Sequence, residues 1–448
     1  MLRVDLVIRG CMILTMGEAG LVRDGVIAVK DGLLAYVGRM IEAPSFEADT
    51  IIDGSGKIAM PGLVNCHTHA AMSLFRGVAE DKPLDVWLRE TIWPLESKLR
   101  REDIYYGALL SCIEMIRSGT TCFSDMYFHE DMVARAAMEA GLRCVLSSGI
   151  IDAGHKTLGR ILLREAVKIA REYHGVSDRV FVMLGPHALY SCSLDLLRKV
   201  RERAEELNVG VHIHLAESER DSANIRSIHG RSEVDLLGEV GLLGPRLLAA
   251  HCIHVSDGDI VLMAKHGVKV AYNPVSNMKL ASGIPRIKDL LDAGVVVGLG
   301  TDGPASNNSL DMFETMKFAA LLQKARYGDP RVLPAKKVVE MATIDGARAL
   351  GLDGLIGSLE AGKKADIILV DTNKPHLKPI HDVYAALVYS ARGSDVDTVI
   401  VDGRVLMENR RVKTVDEAEV MRRAEEKAYN LLSRRNVARG IARKILKI

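Results

Sequence analysis

Apolar and polar residues alternate along the first 59 residues. "VDLVIRGCMILTM", "GVIAVKDGLLAYVG" and "ADTIIDGSGKIAM" each carry the period of two expected of half-buried strands, with glycine-containing turns between them. The same texture returns late, in "ADIILVDTN" and "DTVIVDGRVLMENRRV". Two β segments at opposite chain ends, 1–59 and 366–414, predict one composite β-sandwich.

Over 60–365 the pattern changes. Short apolar runs alternate with helical stretches such as "REDIYYGALLSCIEMIRSG" and "SLDLLRKVRERAEELN". Strand candidates end near His67, Asp125, Ser148, His187, His214, His251, Asn273 and Asp302. Eight β-then-α units predict an α/β fold of the (β/α)8 TIM-like barrel type. A doubly wound open sheet is the alternative, but it would not gather the ends of strands one, five, six and eight at one centre. The tail, 415–448, repeats its apolar residues at helical spacing. It predicts a helix lying on the surface, with a partner or oligomer contact as the other reading.

Bulk composition narrows the function classes. The 448 residues are 48% hydrophobic and 26% charged, ordinary for a globular protein, and the net charge is +1. Nothing there points to nucleic acid or an acidic membrane as an electrostatic partner. Seven scattered cysteines with no Cys-x-x-Cys read as reduced thiols of a cytoplasmic protein, not as a disulfide frame or a thiolate zinc site. The N-terminal stretch has Asp5 and Arg9 inside its apolar part, which fits strands better than a signal peptide. No uncharged apolar run reaches the roughly 18 residues of a membrane span.

The chemistry concentrates at the strand ends. His67 and His69 stand at i and i+2 of a strand, so they share a face. Alone, His-x-His is a weak metal signal. Strand five adds "VHIHLAE", with His214 nearer the strand's C-terminal mouth and His212 one layer deeper, where it reads as a hydrogen-bonded core histidine. Strand eight ends in Asp302 within "GLGTDGPASNN". Three imidazoles and a carboxylate suit one divalent ion, Zn2+ first, with Fe2+ or Mn2+ as alternatives. One further position would hold a water whose pKa falls towards ~7. Glu217 and His251 stand where an acid and an imidazole could flank that water, and Asp302 can also accept its proton. Singly, Glu217 could be a helix N-terminal charge and His251 a buried polar residue. Together on separate strand ends they read as an active site.

The set "PGLVNCHTH", "HLAE", "AAHC", "NPVSNMKL" and "GLGTDGPASNN" resembles the amidohydrolase superfamily, over nearly the whole chain. The two-metal members carry a lysine at the end of strand four. Here "MLGPHALYS" offers His187 instead, so the resemblance is to the one-metal deaminases. The zinc deaminases with Pro-Cys-x-x-Cys are a different fold, and that signature is absent.

With "LDVWLRETIWPLESKL", the chain looks most like the methylthioadenosine/S-adenosylhomocysteine deaminases, which include archaeal enzymes acting on 5'-deoxyadenosine. The resemblance implies an adenosine-type nucleoside substrate, deaminated at C6, and a homo-oligomer, dimer or tetramer. It implies that Glu217 protonates N1, His251 orients the water and Asp302 moves its proton. Glu96 would grip the ribose hydroxyls, Trp93 would pack on the nucleoside, His187 would contact substrate, and Ser306 would line the pocket. Relatives that bind the homocysteine carboxylate use arginines near strand three. Position 148 is serine, which leaves Arg160 alone for that role and favours smaller 5' groups. Rival readings are a guanine or cytosine deaminase, a triazine hydrolase, or a metal-free structural protein of the dihydropyrimidinase-related kind.

Overall fold

The computed structural model describes residues 2–78 and 80–445, with side chains through residue 434. Eight strands form an all-parallel sheet: β6 (Leu63–Thr68), β7 (Thr120–Tyr127), β8 (Arg143–Ile150), β9 (Val180–Pro186), β10 (Gly210–Leu215), β11 (Leu247–His251), β12 (Lys269–Tyr272) and β13 (Val296–Leu299). They lie side by side in chain order. β6, β7 and β11 are buried along their whole length, as befits a parallel sheet covered on both faces.

The seam between β13 and β6 is closed by a few bonds. Asp302 N donates to His67 O at 2.9 Å, and Thr68 Oγ1 donates to Asp302 O at 3.1 Å. The Asn65 amide clamps Thr301 through both of its ends, at 2.7 and 3.0 Å. The result is an α/β barrel whose closing bonds involve two of the chemistry-bearing residues.

The chain ends build a second, nine-stranded sheet. The N-terminal part is β1 (Leu2–Leu14), β2 (Leu21–Lys30), β3 (Leu33–Arg39), β4 (Phe46–Asp53) and β5 (Lys57–Pro61). The C-terminal part is β14 (Ile367–Asp371), β15 (Val396–Val401), β16 (Arg404–Glu408) and β17 (Arg411–Val412). The halves join through antiparallel β5 and β14, with Met60 opposite Ile368. By hydrogen bonding they are one continuous sheet. Its own core includes Ile8, Ile13, Ile27, Ile367 and Ile400.

Only Gly62 separates β5 from β6. A Cβ there would stand 2.0 Å from Thr121 Oγ1, so no larger residue fits where sheet turns into barrel. Beneath the barrel, Arg143 at the start of β8 is fully buried and forks onto Asp366, at 2.9 and 3.0 Å. Asp366 also accepts from Asp402 N at 2.8 Å, so this pair ties barrel to sheet. Arg143→Met would leave a buried carboxylate unpaired. The expected cost is about 3–5 kcal/mol, read as a lower urea midpoint, and an unchanged midpoint would contradict this role.

The helix Glu417–Ile445 lies on the helix Arg101–Arg117. Arg434 reaches Asp103 at 2.7 Å and Lys98 O at 3.1 Å. The predicted surface helix therefore packs beside the segment that carries Glu96. Residues 446–448 of the predicted tail lie outside the described residues.

Candidate active site

The C-terminal ends of β6, β10, β11 and β13 converge. His67 Nε2 lies 3.6 Å and His69 Nε2 3.3 Å from Asp302 Oδ1. His214 Nε2 is 3.4 Å from His69 Nε2. These atoms fall into two overlapping groups that could hold a metal ion: His67, His69 and Asp302, and His67, His214 and His251.

Outer bonds aim the rings. His69 Nδ1 donates to Met126 O at 2.6 Å, and His214 Nδ1 donates to His187 O at 2.9 Å. A carbonyl can only accept, so each ring carries a hydrogen on Nδ1 and turns its Nε2 inward. His67 Nδ1 rests 2.9 Å from His212 Nε2, and its own Nε2 is buried with no hydrogen-bond partner. A buried orphan nitrogen is costly unless something fills its lone pair, and a divalent cation meets that need. The donor set fits such an ion.

Electrostatics agree with ligation. Burial pushes the His67 imidazole down to about 4 and holds His214 well below its usual value, so both are neutral. His69 differs: burial pushes it down, but the Asp302 carboxylate, the Met126 carbonyl and Asp125 together outweigh this and raise it to about 9. A proton and a metal ion compete for that Nε2. Burial alone would raise Asp302, yet the imidazoles of His67 and His69 beside it hold it well below the carboxylate range. Its other contacts are Ser276 Oγ at 2.6 Å and Gly303 N at 2.7 Å.

Glu217 and His251 stand beside this cluster. His251 Nδ1 donates to Asn277 Oδ1 at 2.8 Å, and its Nε2 is 3.8 Å from Glu217 Oε2 and 3.9 Å from Asp302 Oδ2. Burial raises the Glu217 carboxyl. Ala216, His251, Cys252 and Asp302 all adopt left-handed backbone, with φ of 48°, 73°, 50° and 64°. Non-glycine residues rarely do so, and strain of this kind gathers where side chains must be aimed.

Around them, Glu96 accepts from Tyr127 OH at 2.8 Å, and burial raises its carboxyl. The His187 ring lies 4.9 Å from that of His214, and its Nδ1 is 2.8 Å from Ser191 Oγ. Ser306 is buried and bonds Gly303 O at 3.2 Å, on the turn after Asp302. Trp93 is 41% exposed, whereas Trp87 is the tryptophan in the core.

Arg160 is not drawn into this group. It sits exposed on the helix Lys156–Tyr173, bonds Thr157 at 3.4 Å, and lines an outer groove with Arg164, Lys168 and Arg203. Ser148 is buried in β8 with its hydroxyl unpartnered. Sequence reasoning missed Ser276 and Asn277, the residues that orient Asp302 and His251. Their signal was the "NPVSN" run, which begins the helix Pro274–Lys279. Close packing enforces the same arrangement: a Cβ at Gly300 would meet Asn273 Oδ1 at 2.3 Å.

Residues 58–406 match the model of the amidohydrolase family. The chain is 48% identical over 434 residues to the 5'-deoxyadenosine deaminase of Methanosarcina acetivorans, covering 96% of this chain and 99% of that one. It is 51% identical over 429 residues to the 5-methylthioadenosine/S-adenosylhomocysteine deaminase of Desulforudis audaxviator, covering 95% and 99%. Among solved structures, an adenosine deaminase from Xanthomonas campestris with bound zinc superposes with a TM-score of 0.93 at 33% identity, covering 96% of this chain and 99% of that one. Barrel, converging histidines and matched length agree: the chain belongs to the amidohydrolase family.

Proposed function

We propose that this chain deaminates adenosine analogues with small 5' groups, above all 5'-deoxyadenosine and 5'-methylthioadenosine, to the inosine analogues and ammonia. The observation that carries the reading is the convergence of His67, His69, His214 and Asp302 with Glu217 and His251 alongside. His67, His69, His214 and Asp302 would hold one divalent ion, which we assign as Zn2+. When bound, such an ion supplies Lewis acidity that makes a water nucleophilic near neutral pH.

The chain's own residues would do the rest. Glu217, whose carboxyl is raised by burial, donates to N1 of the purine, so the ring can accept the electron pair as water adds at C6. Asp302 takes one proton of that water. His251, held by Asn277, orients it. Asp302 then returns its proton to the amino group, ammonia leaves, and the remaining hydroxyl proton restores Glu217. Protons balance, and both carboxyls end as they began. Glu96, backed by Tyr127, accepts from the ribose hydroxyls. His187 contacts substrate, while Trp93 and Ser306 border the pocket.

The 5' preference rests on Ser148 and Arg160. A serine stands in the barrel wall and the arginine lies on an outer helix face, so neither position supplies a guanidinium fork for a homocysteine carboxylate. In a steady-state comparison, kcat/KM for 5'-deoxyadenosine should exceed that for S-adenosylhomocysteine by about tenfold or more. A preference for S-adenosylhomocysteine would contradict the assignment. No helix among the described residues is long and apolar enough to cross a membrane. All seven cysteines are free and buried, which supports a reducing, cytoplasmic setting. The homo-oligomer expected from the resemblance remains part of this proposal.

A further inference from the structure

Two buried carboxyls on β7 and the helix after it take no part in the reaction above. Asp125 and Glu130 are both fully buried. Asp125 Oδ1 accepts from Ala70 N at 2.6 Å, and Glu130 Oε1 accepts from Tyr127 N at 2.7 Å. Their second oxygens, Oδ2 and Oε2, are buried with no other hydrogen-bond partner, and the two carboxyl side chains lie against each other. A left-handed turn at His129, φ 55°, folds Glu130 back towards the strand it follows.

The short stretch between them touches both halves of the site. Met126 O holds His69 Nδ1 at 2.6 Å. Tyr127 OH holds Glu96 at 2.8 Å. Ala70, pinned by Asp125, follows His69 directly, and Ser111 Oγ fixes its carbonyl at 2.6 Å. The Asp125–Tyr127 segment therefore sets the angle of a metal-side histidine and a ribose-side carboxylate, with Asp125 at one end and the bond from Tyr127 N to Glu130 at the other.

We propose that Asp125 and Glu130 are positioning residues that share one proton, and that their bond sets His69 and Glu96 at a fixed spacing. Two carboxylates in contact away from water cannot both ionise, so one must donate to the other. Burial raises both groups, Asp125 to about 7 and Glu130 well above the usual range, which agrees with glutamic acid donating to aspartate. The inference rests on the proposed roles of His69 and Glu96.

Amide exchange tests it. In Glu130→Gln, the amide oxygen still accepts from Tyr127 N and the NH2 still donates to Asp125. In Asp125→Asn, the amide oxygen accepts from Ala70 N and the NH2 donates to a Glu130 carboxylate. Each single variant should stay within about threefold of the native kcat/KM for 5'-deoxyadenosine. The double variant sets two donors face to face. It should lose about 100-fold, far beyond the product of the singles. KM should rise as Glu96 shifts, and the visible spectrum of the Co2+-loaded protein should change as His69 shifts.

Native Co2+ spectrum and KM in the double variant, or loss equal to the product of the singles, would overturn the proposal. If the double variant does not fold, Glu130→Ala takes its place with the same two readouts and the same overturning result. Failure of the native protein to deaminate any nucleoside would instead overturn the reading of the site itself.

Discussion

Glu217→Gln should bind metal normally and lower kcat by about 10²–10⁴-fold. Glutamine keeps the length and shape of the side chain but has no acidic proton for N1. The surroundings of Glu217 favour its protonated form. Burial raises the Glu217 carboxyl, and the imidazole of His251, 3.8 Å away, offsets only part of this. Without the proton, negative charge accumulates on the ring as water adds, and no other acid described around the cluster is assigned to N1. Because glutamine still fills the space, KM should change far less than kcat. That split marks an interaction made in the transition state. Metal content measured on the same sample separates this outcome from collapse of the cage. A variant with near-native kcat would remove Glu217 from the proton path.

Asp302 carries two proposed roles, and two substitutions separate them. Asp302→Ala removes a ligand oxygen and leaves Ser276 and Gly303 N without their acceptor. It should lose most of its metal and at least about 10³-fold in kcat/KM. Asp302→Asn keeps an oxygen for the ion and the bond from Gly303 N, but an amide takes up no proton from water. It should retain part of the metal and still be as inactive as the alanine variant. Equal activity of native and Asp302→Asn protein at equal metal content would show that Asp302 is a ligand alone. Neither substitution removes the backbone bond from Asp302 N to His67 O, so the barrel seam should persist and both variants should fold.

Much of this architecture was legible in the hydrophobic pattern. Every predicted strand end falls within three residues of an observed one: His214 is one residue before the end of β10, and Asp302 is three residues beyond β13. Buried parallel strands read as unbroken apolar runs, and their C-terminal ends are where the run meets polar side chains. The convergence of His67, His69, His214 and Asp302 followed once the runs were counted as a barrel.

What was not legible is set by turns and by helix phase. Ser276 and Asn277 reach Asp302 and His251 because a short helix starts at Pro274, directly after β12. Nothing in their spacing from either partner encodes that contact. Arg160 was expected at the substrate tail because relatives use arginines near strand three and position 148 is serine. The helix it sits on turns it outward, towards the groove shared with Arg164 and Arg203. The pairing proposed for Asp125 and Glu130 escaped for a similar reason. It depends on the left-handed residue His129, and histidine gives little warning of such a turn.

The most direct test of metal-dependent deamination is ammonia release from 5'-deoxyadenosine by protein stripped of metal and then reloaded with Zn2+. The stripped protein should be folded and inactive, and about one Zn2+ per chain should restore production of ammonia and 5'-deoxyinosine in equal amounts. Full activity in protein shown to contain no divalent metal, or no ammonia from the reloaded protein with any adenosine analogue, would contradict it.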